Sequence, residues 1–462
     1  MTGCANEAGE PDLYAIPVLD QWLVLSPQTW TVAMVNRSAV AALARFAEGS
    51  SQGLPNELQA LWRRLTRNAP TLPPPDEGPD KLVVLPTRAC NMRCVYCDFD
   101  AAQAAPGILD PRQACRLADC FARRLRKRGE RTLRVHFFGG EPLVAWFCTE
   151  TIVHYVRSLC ARMDLVPWFE LTTNGDFDPS LIPFVGDYID SVVVSLDGPE
   201  SVHDFNRRSP DGGGTYARIA ANLHRLASYP AHLCLRMCVT NRSVDAMADV
   251  AAGFCREFDF EVLSFEALAE NACSRRAGLS APDPFAFAAG LLRAETLAAQ
   301  EGVRIVHGPS ELTGPRISSC PLGRGTWMLG PGGEIAACYL DPERWQARGL
   351  DLALGRVDAA GGVSIDQRKA DEVAALVRAK PRCVRCFCRH TCAGGCHVDQ
   401  TPPGCSPAYD QRCLAIRAIT ASRLLRRLGD EAAVELLAGR RTALESIARH
   451  PDDRLAFGQG TP

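Results

Sequence analysis

The 462-residue chain has no apolar run long enough to span a bilayer, so no membrane-spanning helix is expected. It also lacks an excess of charge of either sign. Lysine and arginine number 51 against 53 acidic residues, and the net charge of -2 leaves no electrostatic case for nucleic acid or another polyanion as a partner of the whole chain. The opening Met1-Thr2-Gly3-Cys4-Ala5 shows no basic segment followed by an apolar one, so no signal peptide is expected there. Cysteine, by contrast, is plentiful. Its 21 copies, an odd number in a long chain, do not read as the disulfide framework of a small secreted domain, and the reducing cytosol is the expected compartment. A composition of 47% hydrophobic and 23% charged residues at this length predicts a globular protein of two or three domains.

The cysteines are grouped. Cys90-x3-Cys94-x2-Cys97 forms a triplet, and seven more lie between Cys383 and Cys413. Thiolates are the ligands iron-sulfur clusters require, and a loop with three of them leaves one iron without a protein ligand, able to take a substrate or cofactor. Buried core thiols, or a zinc site built from CxxC pairs, are the alternatives.

Short β-type runs at Tyr14 to Val18, Trp22 to Leu25 and Thr31 to Val35 precede two stretches of helical spacing, Arg37 to Glu48 and Asn56 to Arg67. Proline-rich Pro70 to Asp80 reads as a linker, so residues 1–75 are expected to form a small domain. Six strand signals follow, near Leu82 to Leu85, Leu133 to Phe138, Phe169 to Thr172, Ser191 to Ser195, Leu233 to Val239 and Glu261 to Phe265. Helical stretches separate them, among them one capped by Asp110-Pro111 and those at Val144 to Arg162, Tyr216 to Ser228 and Asp245 to Glu257. This alternation predicts an α/β fold with a parallel sheet, whose sites lie at the carboxyl ends of its strands. The cysteine triplet directly follows the first strand.

The segment Cys90-Asn91-Met92-Arg93-Cys94-Val95-Tyr96-Cys97, aromatic before its third cysteine, resembles the cluster loop of radical S-adenosylmethionine (SAM) enzymes. Three further segments at successive strand ends resemble that family in order: Phe138-Gly139-Gly140-Glu141-Pro142, Leu171-Thr172-Thr173-Asn174-Gly175 and Ser195-Leu196-Asp197-Gly198. Taken singly, each is a strand-ending turn. The resemblance implies a partial (β/α)6 TIM-like barrel over residues 76–310, with a SAM-binding 4Fe-4S cluster on Cys90, Cys94 and Cys97. It further implies SAM contacts from Tyr96, Gly139, Gly140, Glu141, Pro142, Asn174, Ser195, Asp197 and Arg236. In such enzymes reductive cleavage of SAM yields a 5'-deoxyadenosyl radical that abstracts a substrate hydrogen, and the cofactor supplies that chemistry.

A second pattern runs through Cys320, Gly333-x4-Cys338, Cys383-x2-Cys386-x5-Cys392-x3-Cys396 and Cys413, and resembles the SPASM domain, here residues 311–425 with a helical tail over 426–462. The resemblance implies two auxiliary, 4Fe-4S-type clusters in a loop-rich iron-sulfur domain, one on Cys320, Cys338 and Cys396 and the other on Cys383, Cys386, Cys392 and Cys413. The first has only three obvious thiolates, since Thr326 stands where some relatives place a cysteine; Cys388, Cys405, Cys273, a substrate group or an open iron could complete it. The N-terminal segment resembles a PqqD-like, winged-helix-like peptide-recognition domain, in which a leader peptide adds a strand to a sheet edge; a structural cap on the barrel is the alternative.

These resemblances together imply a cytosolic radical SAM/SPASM oxidoreductase that matures a ribosomally made (RiPP) precursor peptide with a leader, most simply by crosslinking it. Reduced flavodoxin or ferredoxin is the implied electron donor. The runner-up is an anaerobic sulfatase-maturing, formylglycine-forming enzyme, and a non-enzymatic alternative is an iron-sulfur or zinc scaffold. Asp98 and Glu266 are the acid-base candidates by position.

Overall fold

The computed structural model describes residues 13–27, 29–49, 53–67, 81–97, 99, 107–316, 320, 326–376, 383, 386–398 and 410–450. The proline-rich linker, Asp98 and Cys405 lie outside them.

Strands β1 (Tyr14–Val18), β2 (Gln21–Ser26) and β3 (Thr31–Val35) pair antiparallel in that order. Alternation along a strand sends successive side chains to opposite faces, and here both faces are used. Leu13, Ala15 and Val24 pack on Leu43 and Leu65 of helices Arg37–Ala47 and Asn56–Leu65, while Tyr14, Ile16, Leu23 and Leu25 join the main core. Trp22 meets His450, just past helix Arg441–Arg449, edge to face at 5.9 Å. The small sheet is thus built into the body of the molecule.

Among the described residues the central sheet has eleven strands. β4 (Lys81–Val84), β6 (Thr132–Phe137), β7 (Val166–Thr173), β8 (Ser191–Ser195), β10 (His232–Val239), β11 (Val262–Ala267) and β12 (Arg304–Val306) run parallel as neighbours in that order. The two-residue strands β5 (Arg93–Cys94) and β9 (Arg207–Arg208) form a separate antiparallel ribbon. All six expected strands are present, giving an α/β fold consistent with a partial TIM-like barrel. The expected helix at Val144 is a 3-10 turn, Pro142–Ala145, leading into Trp146–Met163. Asp110 caps helix Pro111–Lys127, its carboxylate accepting from Arg112 N at 2.9 Å.

Strands absent from the sequence reading extend this sheet. β13 (Trp327–Leu329) pairs parallel with the free edge of β4, and β14 (Glu334–Ala336), β15 (Ala353–Val357) and β16 (Val363–Ile365) continue it antiparallel. Helix Gln411–Arg427 is buried along nearly its whole length, and its Arg423 reaches Glu295 and Glu311, each at 2.6 Å.

Candidate functional site

Beyond β4 the chain turns through Leu85–Ala89 into the cysteine triplet, and local pairing fixes the loop. Cys94 lies in β5 opposite Arg207, and Val95 N donates to Asn206 O at 2.9 Å. Gly139 and Gly140 let the next strand end press against the turn: a Cβ on Gly140 would stand 2.1 Å from Ala89 O, and one on Gly139, whose φ is 136°, 2.6 Å from Thr87 O. Asn174 Nδ2 donates to Asn91 Oδ1 at 2.8 Å and approaches Cys90 Sγ at 3.6 Å.

Cys90, Cys94, Cys97, Tyr96, Gly139, Gly140, Asn174, Ser195, Arg236 and Glu266 all line one cavity of about 430 Å³. The remaining SAM candidates stand behind its wall. Glu141 is buried, Oε1 accepting from Leu143 N (3.1 Å) and Thr173 Oγ1 (2.8 Å) and Oε2 from Asn174 N (2.7 Å), so it ties two strand ends together. Pro142 begins the 3-10 turn and is buried. Asp197 is fully buried and accepts from Tyr96 OH, Asn206 Nδ2 (3.2 Å) and Cys238 N (3.1 Å), with Arg207 Nε 3.2 Å away. It braces the cluster loop against β10.

Three thiols of one loop opening on one cavity fit a cluster that leaves a corner for another ligand. Burial, then the charge of Glu141, pushes the Cys90 thiol up to about 12, and burial pushes Cys94 up to about 11 against the pull of Arg207. Such thiols ionise when a metal supplies the compensating charge.

The same cavity is lined by Cys320, Cys338 and Cys396, whereas Cys383, Cys386, Cys392 and Cys413 line a second, small cavity with Arg417. The two sets that the sequence interleaves are therefore separated in space. Cys388 lies with the second set, Cys273 is on helix Ala272–Arg276 away from the cavity wall, and Thr326 is buried with no hydrogen-bond partner for its hydroxyl among the described residues. Among the described residues no three His, Cys, Asp or Glu side chains converge to hold a single metal ion.

Several cavity residues escaped sequence reading. Cys238 follows Arg236 by two positions on β10 and so shares its inward face, opposite Glu266 in the β11 register. Period-two counting from Arg236 would have found it. Arg207 and Tyr339 carry no such signal: Arg207 arrives through the ribbon, and Tyr339 through aromatic contacts with Phe99 (5.7 Å) and Phe138 (4.9 Å).

The sequence model of the Radical SAM superfamily matches residues 84–249. A radical SAM cyclopropyl synthase, TigE, from Paramaledivibacter caminithermalis is 24% identical over 135 residues, 26% of this chain and 28% of that protein. A cysteine-type anaerobic sulfatase-maturating enzyme from Clostridium novyi is 25% identical over 179 residues, 38% of this chain and 47% of the other. The chain thus matches between about a quarter and half of the length of these curated relatives. Among solved structures, native anSMEcpe with bound AdoMet superposes with a TM-score of 0.60 at 19% identity, covering 76% of this chain and 99% of that one. Streptococcus suis SuiB bound to S-adenosylmethionine gives 0.52 at 14% identity, covering 86% and 98%. Residues 84–249 thus match the Radical SAM superfamily, in a chain whose fold resembles those of anSMEcpe and SuiB.

Proposed function

We propose that the protein is a radical SAM/SPASM peptide maturase, which removes a hydrogen from a residue of a ribosomally made precursor peptide and oxidises that residue to a crosslink. The observation that carries this is the single cavity bearing Cys90, Cys94 and Cys97 on one wall and Cys320, Cys338 and Cys396 on another. The first set would hold the SAM cluster and the second an auxiliary cluster; Cys383, Cys386, Cys392 and Cys413 would hold another. When bound, SAM and its cluster would supply hydrogen abstraction and an auxiliary cluster would supply an acceptor for the electron released on oxidation. The chain's own groups orient and exclude water: Asn174, Ser195 and Arg236 offer donors at the SAM end, and the aromatic set Phe99, Phe138 and Tyr339 walls off the substrate end. Glu266, which lines the cavity, would take the proton.

Residues 13–67 would recognise the leader through β3, the outer strand of the three-stranded sheet. The similar structure of anSMEcpe with bound AdoMet and Kp18Cys peptide (TM-score 0.60) is compatible with a peptide substrate. Sequence similarity to the cysteine-type anaerobic sulfatase-maturating enzyme of Clostridium novyi favours the second reading, formylglycine formation in a sulfatase.

The test is mass spectrometry of the short peptide encoded nearest the gene, after anaerobic co-expression with the enzyme and with the Cys90→Ala, Cys94→Ala, Cys97→Ala variant. A loss of two hydrogens that needs the triplet is the expected result. A modified sulfatase beside an unmodified peptide would transfer the assignment to the second reading.

A further inference from the structure

The near-zero net charge conceals a local imbalance at the outer side of the cluster loop. Arg93 and Arg208 stand directly opposite each other in the β5–β9 ribbon, where like charges are destabilising. The Arg208 and Arg242 guanidinium groups both lie over the ring of Phe205, at 5.1 and 4.9 Å. Arg242 reaches the turn at Gly278, where a Cβ would meet its Nη2 at 3.3 Å, beside exposed Arg275 and Arg276. Their short helix is tied to the cluster loop by Asn271 Nδ2, which donates to Tyr96 O at 3.0 Å. Among the described residues none of these five arginines forms an ion pair with a carboxylate; Arg208 Nε donates to Phe205 O and Arg276 Nη2 to Cys273 Sγ. Other arginines of the chain are ion-paired, as at Arg218–Asp176, Arg423–Glu295 and Arg441–Asp283.

Building on the radical SAM reading, we propose that this arginine patch is the docking surface for an acidic one-electron carrier protein of the flavodoxin or ferredoxin class. Each turnover draws one electron from outside: the reduced carrier gives it to the cluster held by Cys90, Cys94 and Cys97 and leaves oxidised. A carrier seated on Arg93 and Arg208 sits on the ribbon that contains Cys94, so docking and delivery coincide. Unpaired guanidinium groups would steer an acidic partner at low salt and lose that pull as screening rises.

The experiment follows 5'-deoxyadenosine released from SAM by the reconstituted holoenzyme under two reductants, a reduced acidic flavodoxin and the small mediator methyl viologen. Arg242→Glu with Arg275→Glu is compared with Arg63→Glu, a remote exposed charge reversal, and with wild type. The flavodoxin-driven rate should fall about tenfold or more in the double variant alone, while the viologen-driven rate stays within about twofold in all three proteins. In wild type, raising salt from about 0.05 to 0.5 M should slow only the flavodoxin-driven reaction. A flavodoxin-driven rate untouched by both the double reversal and salt overturns the proposal. So does a double variant that binds an acidic leader peptide more weakly yet keeps its flavodoxin-driven rate, which would give the patch to the substrate. Failure of both reductants with wild type would instead overturn the radical SAM reading on which the docking site rests.

Discussion

Glu141 holds the ends of two barrel strands with one carboxylate that accepts from Leu143 N, Thr173 Oγ1 and Asn174 N. Burial outweighs those bonds and pushes its pKa up to about 7. Glutamine cannot accept all three, so Glu141→Gln should cost about 1–3 kcal/mol for each donor left unsatisfied, read from urea unfolding. The sign of the pH dependence follows. A carboxyl whose folded pKa is raised contributes stability that is present below its unfolded pKa, near 4.5, and lost as pH rises through about 7. The deficit of the variant should therefore shrink by up to about 3 kcal/mol between pH 5 and pH 8; a deficit that grows with pH would contradict this assignment. On the proposed function, replacing Cys90, Cys94 and Cys97 with alanine should abolish 5'-deoxyadenosine formation while leaving auxiliary iron bound, measured by product chromatography and iron analysis. That these three thiols share one cavity was legible in sequence because thiol spacing within one loop is local. Asp197 was legible only as a motif letter; that it braces Tyr96 and Cys238 depends on β10 lying beside it.

One strand-end glycine and one helical glycine offer a matched pair of tests. Gly140→Ala would drive a Cβ into the backbone at Ala89 and Arg88, so the loop must shift; bound iron at the triplet should fall, read from the cluster absorbance of a protein whose auxiliary sites stay loaded. Gly253, inside helix Met247–Glu257, has nothing within 4 Å of its would-be Cβ, and Gly253→Ala should stabilise by about 0.5–1 kcal/mol. At the edge strand, consecutive residues Val32 and Ala33 direct their N–H groups to opposite sides. Proline at one of them should therefore remove leader binding with the sheet intact, and proline at the other should break the β2–β3 ladder. If neither weakens leader binding, the small sheet is a structural cap. Simple excision of residues 1–75 is a poorer test, since Tyr14, Ile16 and Leu23 belong to the main core. The six parallel strands were readable because helical stretches such as Val144 to Arg162, Tyr216 to Ser228 and Asp245 to Glu257 separate them. β12 and β13, at three residues each, are too short to show an alternation, and the partner of β13 lies far away in sequence.

Across the molecule, three histidines are buried neutral in separate elements. Burial lowers His136 and His203 to about 4 and His307 to about 3. A depressed folded pKa means that the contribution to stability is present above about 6.5 and lost as pH falls towards the folded value. Between pH 7.5 and 5 the three together should cost about 6 kcal/mol, against about 2 kcal/mol returned by Glu141. Circular dichroism should show an acid transition in this window, and His307→Gln should move its midpoint to lower pH.

The pairing of β13 with the free edge of β4 also bears on synthesis. Leu82 and its partner Trp327 are separated by 245 residues, so the inner edge of the barrel's first strand leaves the ribosome with its backbone groups exposed. At about 5–20 residues per second, that edge stays bare for about 12–49 seconds before the strand that covers it is made. The sheet is therefore completed at this edge only when Trp327–Leu329 is made, ahead of Cys338 and the cysteines from Cys383 to Cys413, and truncation products that end earlier are the species that chaperones must shield.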